Sequence, residues 1–285
     1  MITGKVSVII VTHNSLPALR DCLSTLKAHL ASVEHEVIVV DNASQDGSVE
    51  AVTDLLPQAH LVLHERNRGF AVGCNAGAAK AEGEYLLFLN PDVVLDAGAV
   101  EALVATVRSD SLAGVAGGRL RYADGRFQAT CRKLPTVGNM LFSRGSFLGR
   151  LFGGGHLYTL PDYADTTQVP AVAATLMLIR AAVFRRLRGF DERFFMYMED
   201  TDICCRLHRS GRRNYFVPYA GGVHGWGEGS DAGRLRRLCY HHNSVWKYFI
   251  KHLPNGFSVL VLPVFLTVNF LLVALMEAIG VRRRR

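Results

Sequence analysis

The strongest constraint on the fold is an alternation of short apolar runs and helical segments in the first half of the chain. Residues 6–11 form an unbroken, mostly β-branched run, which is typical of a strand buried on both faces. Residues 16–30 then carry leucine at helical spacing. The pattern repeats, with strands predicted at 37–40, 60–64, 85–89, 113–116 and 169–180 and helices at 48–56, 71–81, 97–108, 181–187 and 200–210. Strands alternating with helices predict an α/β fold with a parallel, doubly wound sheet.

Acidic side chains follow several of the predicted strands. Asp41 follows the strand at 37–40, Asp92 follows the strand at 85–89, and residues 199–202 place three carboxylates at a helix start. Ligands of parallel α/β sheets bind beyond the carboxyl ends of the strands. Each residue alone is equally well explained as a helix cap or a turn former. Carboxylates that converge on one edge repel each other unless a cation or a proton lies among them, which indicates a binding site.

Several enzyme motifs are absent from the sequence, and their absence excludes several classes of enzyme. No Gly-rich dinucleotide fingerprint follows the first predicted strand, and no Walker loop, HExxH or GxSxG motif occurs. A nucleotidyltransferase is expected to carry a Gly-rich loop with Lys or Arg at 12–15, which this chain lacks. The six cysteines form no CxxC pair, which indicates reduced, buried thiols and a cytosolic compartment, with a redox pair at Cys204 and Cys205 as the alternative.

The ordered polar motifs resemble those of the family 2 glycosyltransferases, which are inverting enzymes that use nucleotide-sugar donors. The matching pieces are VSVIIVTHNS at 6–15, VDNASQDGS at 40–48, NRGFA at 67–71, Asn75, LNPD at 89–92, GFDE at 189–192, FMYMEDTD at 195–202 and VHG at 223–225. The stretch from Asp124-Gly125 to Thr136 is similar to the rhamnosyltransferase-like branch. The resemblance covers residues 1–230 and implies the A-type glycosyltransferase fold, in which helices flank a Rossmann-like, mostly parallel sheet. Residues 231–285 form a separate helical region.

The resemblance also implies a donor site and a metal site. The donor nucleotide would be held by Thr12, Asn14 and Asp41, with Asn67 and Arg68 nearby. Asp92 and His224 would bind Mn²⁺ or Mg²⁺ against the donor diphosphate. The family motif is commonly Asp-x-Asp, and this chain departs from it with Asn90. An amide oxygen binds a hard cation more weakly than a carboxylate does, so Asn90 is expected to help only indirectly.

Asp200 matches the catalytic base of the family. An inverting transfer needs one carboxylate that takes the proton of the acceptor hydroxyl while its oxygen attacks the anomeric carbon. Glu199 and Asp202 are its neighbours, and Glu199 is the second candidate for the base. For Asp202 two roles are open, because it either raises the pKa of Asp200 or only binds a basic side chain.

The sequence therefore predicts a metal-dependent inverting glycosyltransferase. The expected donor is dTDP-rhamnose or, second, a UDP-hexose, and the acceptor is a saccharide, expected to be polyprenyl-linked, in cell-envelope polysaccharide synthesis. Two alternatives are a catalytically inactive, membrane-attached nucleotide-sugar-binding protein and a nucleotidyltransferase.

The C-terminal region carries the whole charge excess. Residues 231–285 contain nine Lys/Arg and two Asp/Glu, whereas a nucleic-acid-binding protein usually spreads its basic residues over the folded domain. Residues 253–276 contain no charge, and basic residues flank them on both sides. Because both flanks should face the cytoplasm, the sequence predicts a helical hairpin bent near Pro263, or interfacial helices, on an anionic membrane surface. A core helix or a dimer contact is the alternative.

Overall fold

The computed structural model describes residues 4–141, 158–225 and 233–278, and the chain divides into two units. The first unit comprises Met1–Leu134, Thr159–Glu192 and Glu199–Asp231. The second comprises Pro135–Tyr158, Arg193–Met198 and Ala232–Arg285. Two internal segments thus group with the C-terminal region.

The first unit is built on a mixed sheet, which contains ten strands in the described part of the chain. Its strand order is β3-β2-β1-β4-β11-β6-β12-β5, with β7 on β6 and β9 on β12. The strands are β1 (Val6–Thr12), β2 (His35–Asp41), β3 (His60–Leu63), β4 (Tyr85–Leu89), β5 (Val93–Leu95), β6 (Ala113–Arg121), β7 (Phe127–Gln128), β9 (Thr167–Val169), β11 (Leu176–Arg180) and β12 (Arg213–His224). Strands β3, β2, β1 and β4 are parallel neighbours, and β11 runs antiparallel beside β4. A separate ribbon pairs β8 (Cys131–Arg132) with β10 (Ala171–Val172).

Helices cover both faces of this sheet. They are α1 (Leu16–His29), α2 (Ser48–Leu55), α3 (Phe70–Lys80), α4 (Ala99–Ser109), α6 (Ala181–Arg186) and α7 (Glu199–Arg209), with α5 (Val137–Leu141) in the second unit. Val8 and Ile10 of β1 belong to the core shared with α1, α2 and α4, whereas Ile9 and Val11 belong to the core shared with α3, α6 and α7. The apolar run at 6–11, which only Ser7 interrupts, therefore has the cause expected from the sequence, because both faces of β1 are buried.

The structure differs from the sequence-based elements mainly after residue 113. The predicted strand at 169–180 is divided among β9, β10 and β11. Pro170, which cannot donate a ladder hydrogen bond, separates β9 from β10. Strands β5, β7, β8 and β12 were not predicted from the sequence. In β12 the register shifts between Val217 and Gly221, on either side of Pro218, so no regular alternation of apolar residues marks it as a strand.

The second unit contains a helical hairpin. Its first arm is α8 (Arg234–His252), and its second arm is a π-helical turn (Phe257–Val261) that continues into α9 (Leu262–Ala278). Residues 253–256 form the turn, where Asn255 Oδ1 accepts the backbone N–H of Ser258. The arms meet at the contact between Asn269 Nδ2 and His242 Nε2, 2.9 Å apart and buried. The two helices therefore run side by side from the turn to this pair.

The predicted bend near Pro263 is wrong. Pro263 lies in the first turn of α9, where a missing backbone N–H costs least. The π-helical turn before it has Leu262 N–H bonded to Phe257 O, five residues back, so the ring of Pro263 is accommodated without a break. The chain reverses at 253–256 instead, and the partner of the apolar helix is the basic helix α8. The basic tail at 282–285 lies outside the described residues.

Candidate active site

The acidic residues singled out in the sequence meet at one edge of the sheet. Thr12 and Asp41 are register partners at the carboxyl ends of β1 and β2, and Leu89 at the end of β4 pairs with Ile10. Asp92 lies three residues beyond the end of β4, and it is 6% exposed. Asp41 is 3% exposed. This is the edge where parallel α/β sheets bind their ligands.

The loops after β1 and β2 hold each other through the predicted donor-binding residues. Asn14 Oδ1 accepts the backbone N–H of Gln45 at 2.8 Å, and the backbone N–H of Asn14 donates to Ser44 Oγ. Asn14 and Ala43 have φ of 49° and 63°, left-handed values that cost energy for residues other than glycine. Two of the five non-glycine residues with left-handed φ in the described chain thus lie in the loops predicted to hold the nucleotide.

Asp41 offers one free carboxylate oxygen. Its Oδ2 accepts the backbone N–H of Ser44 at 2.9 Å. Its Oδ1 is buried and, within the described residues, has no hydrogen-bond partner. Because a buried acceptor without a partner costs about 1–3 kcal/mol, this oxygen is suited to receive an N–H of a bound ligand.

Asn67 and Arg68 lie in the loop that opens α3. Asn67 Oδ1 accepts the backbone N–H of Gly69 at 2.9 Å, an Asx turn that ends at Gly69, the N-cap of α3. The side chain of Arg68 is exposed, while its backbone N–H faces Asn42 Oδ1 at 3.4 Å. The structure thus gives Asn67 a role in shaping the loop and leaves the Arg68 guanidinium in solvent beside the site.

Asp92 and His224 come together although 132 positions separate them in the sequence. His224 Nε2 lies 3.2 Å from Asp92 Oδ1, and His224 is 7% exposed. Strand β12 brings the histidine there, because His224 pairs with Val93 of β5. Asn90 begins the turn that carries Asp92, since its carbonyl oxygen accepts the backbone N–H of Val93.

The candidate base Asp200 is buried and charge-compensated at the start of α7. Its Oδ2 accepts from the guanidinium of Arg132 at 2.9 Å and faces the backbone N–H of Ala174 at 3.4 Å. Its Oδ1 accepts the backbone N–H and the hydroxyl of Thr201. Thr175, which follows Ala174, accepts the backbone N–H of Asn90 through its carbonyl oxygen. Residues 174 and 175 therefore connect the base to the turn that carries Asp92.

The chain just before this motif is strained. Tyr197 and Met198 have φ of 70° and 68°, left-handed values that cost roughly 1–3 kcal/mol each in non-glycine residues. Within the second unit, α8 bonds this segment at two points, as Ser244 Oγ donates to Met196 O and Lys247 Nζ donates to Arg193 O. The strained backbone leads directly into Glu199 and Asp200.

Glu199 is a buried carboxyl whose pKa is raised. Burial, followed by the neighbouring charge of Asp200, raises the pKa of Glu199 from 4.5 to about 8. Most of this carboxyl is therefore protonated at pH 7, which disfavours Glu199 as the proton acceptor.

We expect Glu199→Gln to stabilise the protein increasingly as the pH rises. A carboxyl whose folded-state pKa is raised supports folding below its unfolded pKa and loses that contribution as the pH rises through the folded value. The variant should match wild type near pH 5 and melt a few degrees higher at pH 9, measured by thermal denaturation in chelator. Exposed Glu65→Gln is the matched control. A difference that does not change with pH would contradict the assignment.

Other residues of the resemblance hold the fold instead of lining the site. Asp202 pairs with Arg206 at 2.8 Å, which is the second of the two roles left open for it, binding a basic side chain. Asn75 clamps the chain at Phe190, accepting its N–H and donating to its carbonyl oxygen. Gly189 leaves room for this clamp, since a Cβ there would lie 2.4 Å from Asn75 Oδ1.

A divalent cation fits the Asp92–His224 pair. Within residues 4–141, 158–225 and 233–278 no cluster of three or more His, Cys, Asp or Glu side chains is arranged to hold a metal. Mg²⁺ in phosphate-transfer sites is usually bound by one or two carboxylates, with substrate phosphates and water completing the shell. One carboxylate and one imidazole suit Mn²⁺ in the same arrangement. The two buried side chains are thus sufficient as the protein's share of such a site.

Two residues of the site were missed by the sequence analysis, Arg132 and Gln128. The stretch from Asp124 to Thr136 indicated only a similarity to the rhamnosyltransferase-like branch, and no role was predicted for any residue in it. Arg132 contacts the base, and Gln128 contacts His224 at 2.7 Å. The arginine and proline-threonine spacing of that stretch was the available signal for Arg132.

Comparison with known proteins agrees with this geometry. The sequence model described as Glycosyl transferase family 2 matches residues 7–188, which is more than half of the chain. The N-acetylglucosaminyl-diphospho-decaprenol L-rhamnosyltransferase of Mycobacterium tuberculosis is 28% identical over 263 residues, covering 86% of this chain and 83% of that protein. Rhamnosyltransferase WbbL of Escherichia coli is 26% identical over 260 residues, covering 86% and 93%.

A solved structure supports the fold independently. The mannosyltransferase PcManGT from Pyrobaculum calidifontis, in complex with GDP-Man and Mn²⁺, superposes with a TM-score of 0.61 at 20% identity, covering 98% of this chain and 77% of that one. The chain belongs to glycosyl transferase family 2, with the A-type fold, and is similar to its rhamnosyltransferases. The family and the fold predicted from the sequence are confirmed.

Proposed function

We propose that the chain is an inverting, metal-dependent glycosyltransferase that moves a sugar from a pyrimidine nucleotide-sugar to a lipid-linked saccharide. The observation that carries this proposal is the junction at residues 174–175. Its two backbone hydrogen bonds connect the Asp200 carboxylate to the Asn90 turn, and so to Asp92 and His224. A base and a cation-binding pair at one sheet edge are what transfer from a diphosphate donor requires.

Asp41 favours a donor with a pyrimidine base. Its buried Oδ1 can accept a hydrogen bond from the imide N–H that thymine and uracil share. Both expected donors, dTDP-rhamnose and a UDP-hexose, present that group. Asn14 and the loops it connects would line the ribose side, and Thr12 stands at the end of β1 beside Asp41.

The proton moves at Asp200. The carboxylate takes the acceptor hydroxyl proton, the acceptor oxygen forms a bond to the anomeric carbon from the side opposite the phosphate, and the sugar–phosphate bond breaks. The electron pair leaves with the nucleoside diphosphate, whose charge a cation held by Asp92 and His224 would stabilise. Arg132 compensates the negative charge of Asp200 in the absence of substrate.

The acceptor class rests on two observations. The mycobacterial relative is described as acting on a decaprenol-linked, diphosphate-bearing sugar. In this chain the π-helical turn and α9 present an exposed apolar stripe, formed by Leu260, Val264, Val268, Leu271 and Leu275, each between 49% and 71% exposed. We propose that this stripe places the enzyme on the cytoplasmic face of the membrane, where a polyprenyl-linked acceptor is found.

The hairpin favours an interfacial position over a span. Among the described residues one helix, Phe257–Met276, is long and apolar enough to cross a membrane. However, α8 accompanies it from the turn to the His242–Asn269 contact, and Lys247 and Lys251 lie between those two points. A perpendicular α9 would carry these lysines into hydrocarbon at about 2.5–3.5 kcal/mol each. An α9 that lies in the interface keeps them among anionic headgroups.

The test of the function is transfer in vitro with the full chain. Purified protein in liposomes is given dTDP-rhamnose or UDP-hexoses with Mn²⁺ and an N-acetylglucosamine-diphosphate-polyprenol, and NMR of the product reports the anomeric configuration. Transfer with inversion supports the proposal. Donor binding without transfer to any acceptor would identify the inactive binding protein instead, and release of diphosphate from a nucleoside triphosphate would identify a nucleotidyltransferase.

The metal assignment makes a separate prediction. Asp92→Asn should weaken Mn²⁺-dependent donor binding by at least about 10–100-fold, the range lost even when outer-shell partners of a metal are removed. His224→Ala should cost less, because an anionic ligand contributes more to holding a hard cation. Calorimetry with and without chelator measures both, and exposed Asp124→Asn is the control. Donor binding that is equally tight in excess chelator would contradict the assignment.

A further inference from the structure

Gln128 is a buried amide whose hydrogen bonds converge on one residue. It ends β7, where it pairs with Leu120 of β6, and it is 1% exposed. Its Nε2 donates to the backbone carbonyl oxygen of His224 at 3.0 Å, and its Oε1 lies 2.7 Å from His224 Nδ1. Burying an amide is costly unless it is hydrogen-bonded, so this orientation is strongly held.

The pattern of these bonds determines where the imidazole carries its proton. A backbone carbonyl oxygen can only accept, so the amide nitrogen of Gln128 must face it. The amide oxygen then faces Nδ1, and it too can only accept. Nδ1 must therefore carry a proton. In the neutral ring Nε2 is left with a lone pair, which is directed at Asp92 Oδ1 3.2 Å away.

We propose that Gln128 is a positioning residue that holds His224 in the Nδ1-protonated tautomer, so that Nε2 remains available as a ligand beside Asp92. This inference rests on the proposed metal site. In the opposite tautomer the Nε2–H group would donate to Asp92 and occupy the position that a cation needs. Gln128 thus selects between an imidazole that binds a cation with Asp92 and one that excludes it.

The tautomer is measured directly on the wild-type protein without metal. The full chain is labelled with ¹⁵N-histidine, and imidazole nitrogen shifts and couplings are recorded, with His224→Asn identifying the signal among the 11 histidines. We expect Nδ1 of His224 to be protonated and protected from exchange. A bare Nδ1 with a protonated Nε2 would overturn the proposal, and this result does not depend on any Gln128 variant.

The consequence for the metal is measured on two variants by Mn²⁺ calorimetry in the presence of UDP, whose diphosphate completes the proposed site. Gln128→Met fills the same space without hydrogen bonds, and it should lower Mn²⁺ affinity about 10–100-fold and remove the Nδ1–H signal. Gln128→Glu should stay within a few-fold of wild type, because a protonated carboxyl reproduces both hydrogen bonds. Exposed Gln58→Met is the matched control, and circular dichroism reports folding.

The outcomes separate this proposal from the proposed function. Wild-type protein that binds no Mn²⁺ in the presence of UDP would refute the metal site, while the histidine spectrum would still decide whether Gln128 orients His224. Equal Mn²⁺ affinity in wild type and Gln128→Met would overturn the role of Gln128 with the metal site intact. Equal losses in the Met and Glu variants would also overturn it, because they would mean that any change at this buried position disturbs the site. If Gln128→Met does not fold, Gln128→Glu and the wild-type spectrum decide.

Discussion

Asp200→Asn is expected to lower the rate of sugar transfer by about 10²–10⁴-fold, the usual contribution of a general base. The amide occupies the same volume but cannot accept the acceptor proton. Donor binding should persist, because Asp41, Asp92 and His224 are unchanged. Single-turnover transfer of dTDP-sugar measures the loss, and calorimetry measures donor binding in the same preparation.

The surroundings of Asp200 add a stability effect that must be separated from the loss of rate. All the partners of its two oxygens are donors, from Arg132 and Ala174 on one side and Thr201 on the other. The new NH₂ group must face one of them, which costs about 1–3 kcal/mol of folding free energy. Thermal denaturation therefore accompanies the assay, which is run well below the melting temperature of the variant.

Glu199→Gln is the matched control for Asp200→Asn. Because burial raises the pKa of Glu199 to about 8, glutamine is isosteric with the form that predominates at neutral pH. Transfer by this variant should remain within a few-fold of wild type at pH 7. The opposite ranking, with a large loss in Glu199→Gln and a small one in Asp200→Asn, would assign the base to Glu199.

The sequence predicted the parallel strands β1 to β4 and the acidic residues at their carboxyl ends, because both depend on local patterns. Strand β1 has an apolar run that only Ser7 interrupts, and Asp41 stands at the end of β2, so periodicity and position were enough. The contacts that complete the site join distant positions. Arg132 and Asp200 are 68 residues apart, and Gln128 and His224 are 96 apart. No periodicity encodes such pairs, since the topology alone brings β7, β8 and β12 to this edge.

The helical hairpin shows the same limit in another form. The apolar arm was visible as 24 uncharged residues, but its partner α8 was not, because arginines, lysines and histidines interrupt its apolar face. The turn-forming Pro254, Asn255 and Gly256 marked the reversal better than Pro263 did. A proline in the first turn of a helix does not end it, and the preceding π-helical turn was not visible in the sequence.

The triple variant Val264→Glu, Leu271→Glu, Leu275→Glu is expected to leave the membrane fraction entirely. These side chains are 62%, 59% and 59% exposed on one face of α9, opposite the buried Leu262, Asn269 and Val273. Folding should therefore be retained. A charged side chain in hydrocarbon costs about 2.5–3.5 kcal/mol, and three of them exceed the attraction of a few basic residues for anionic lipid. Flotation with liposomes containing phosphatidylglycerol measures the effect.

The control for added charge is Leu63→Glu on β3, which is 62% exposed in the first unit and should leave flotation unchanged.

The orientation of α9 is tested in intact cells with a cysteine in the basic tail at 282–285. An interfacial helix keeps that cysteine inside, protected from an impermeant thiol reagent, whereas labelling from outside would demonstrate a span. If wild-type protein does not float but is a dimer that the three glutamates dissociate, the apolar stripe is a contact between two copies. The interfacial model makes one more prediction. If α9 lies flat on the membrane beside α8, Lys247 and Lys251 stay at the anionic headgroups. Raising the salt concentration screens this attraction and should weaken flotation of the wild type.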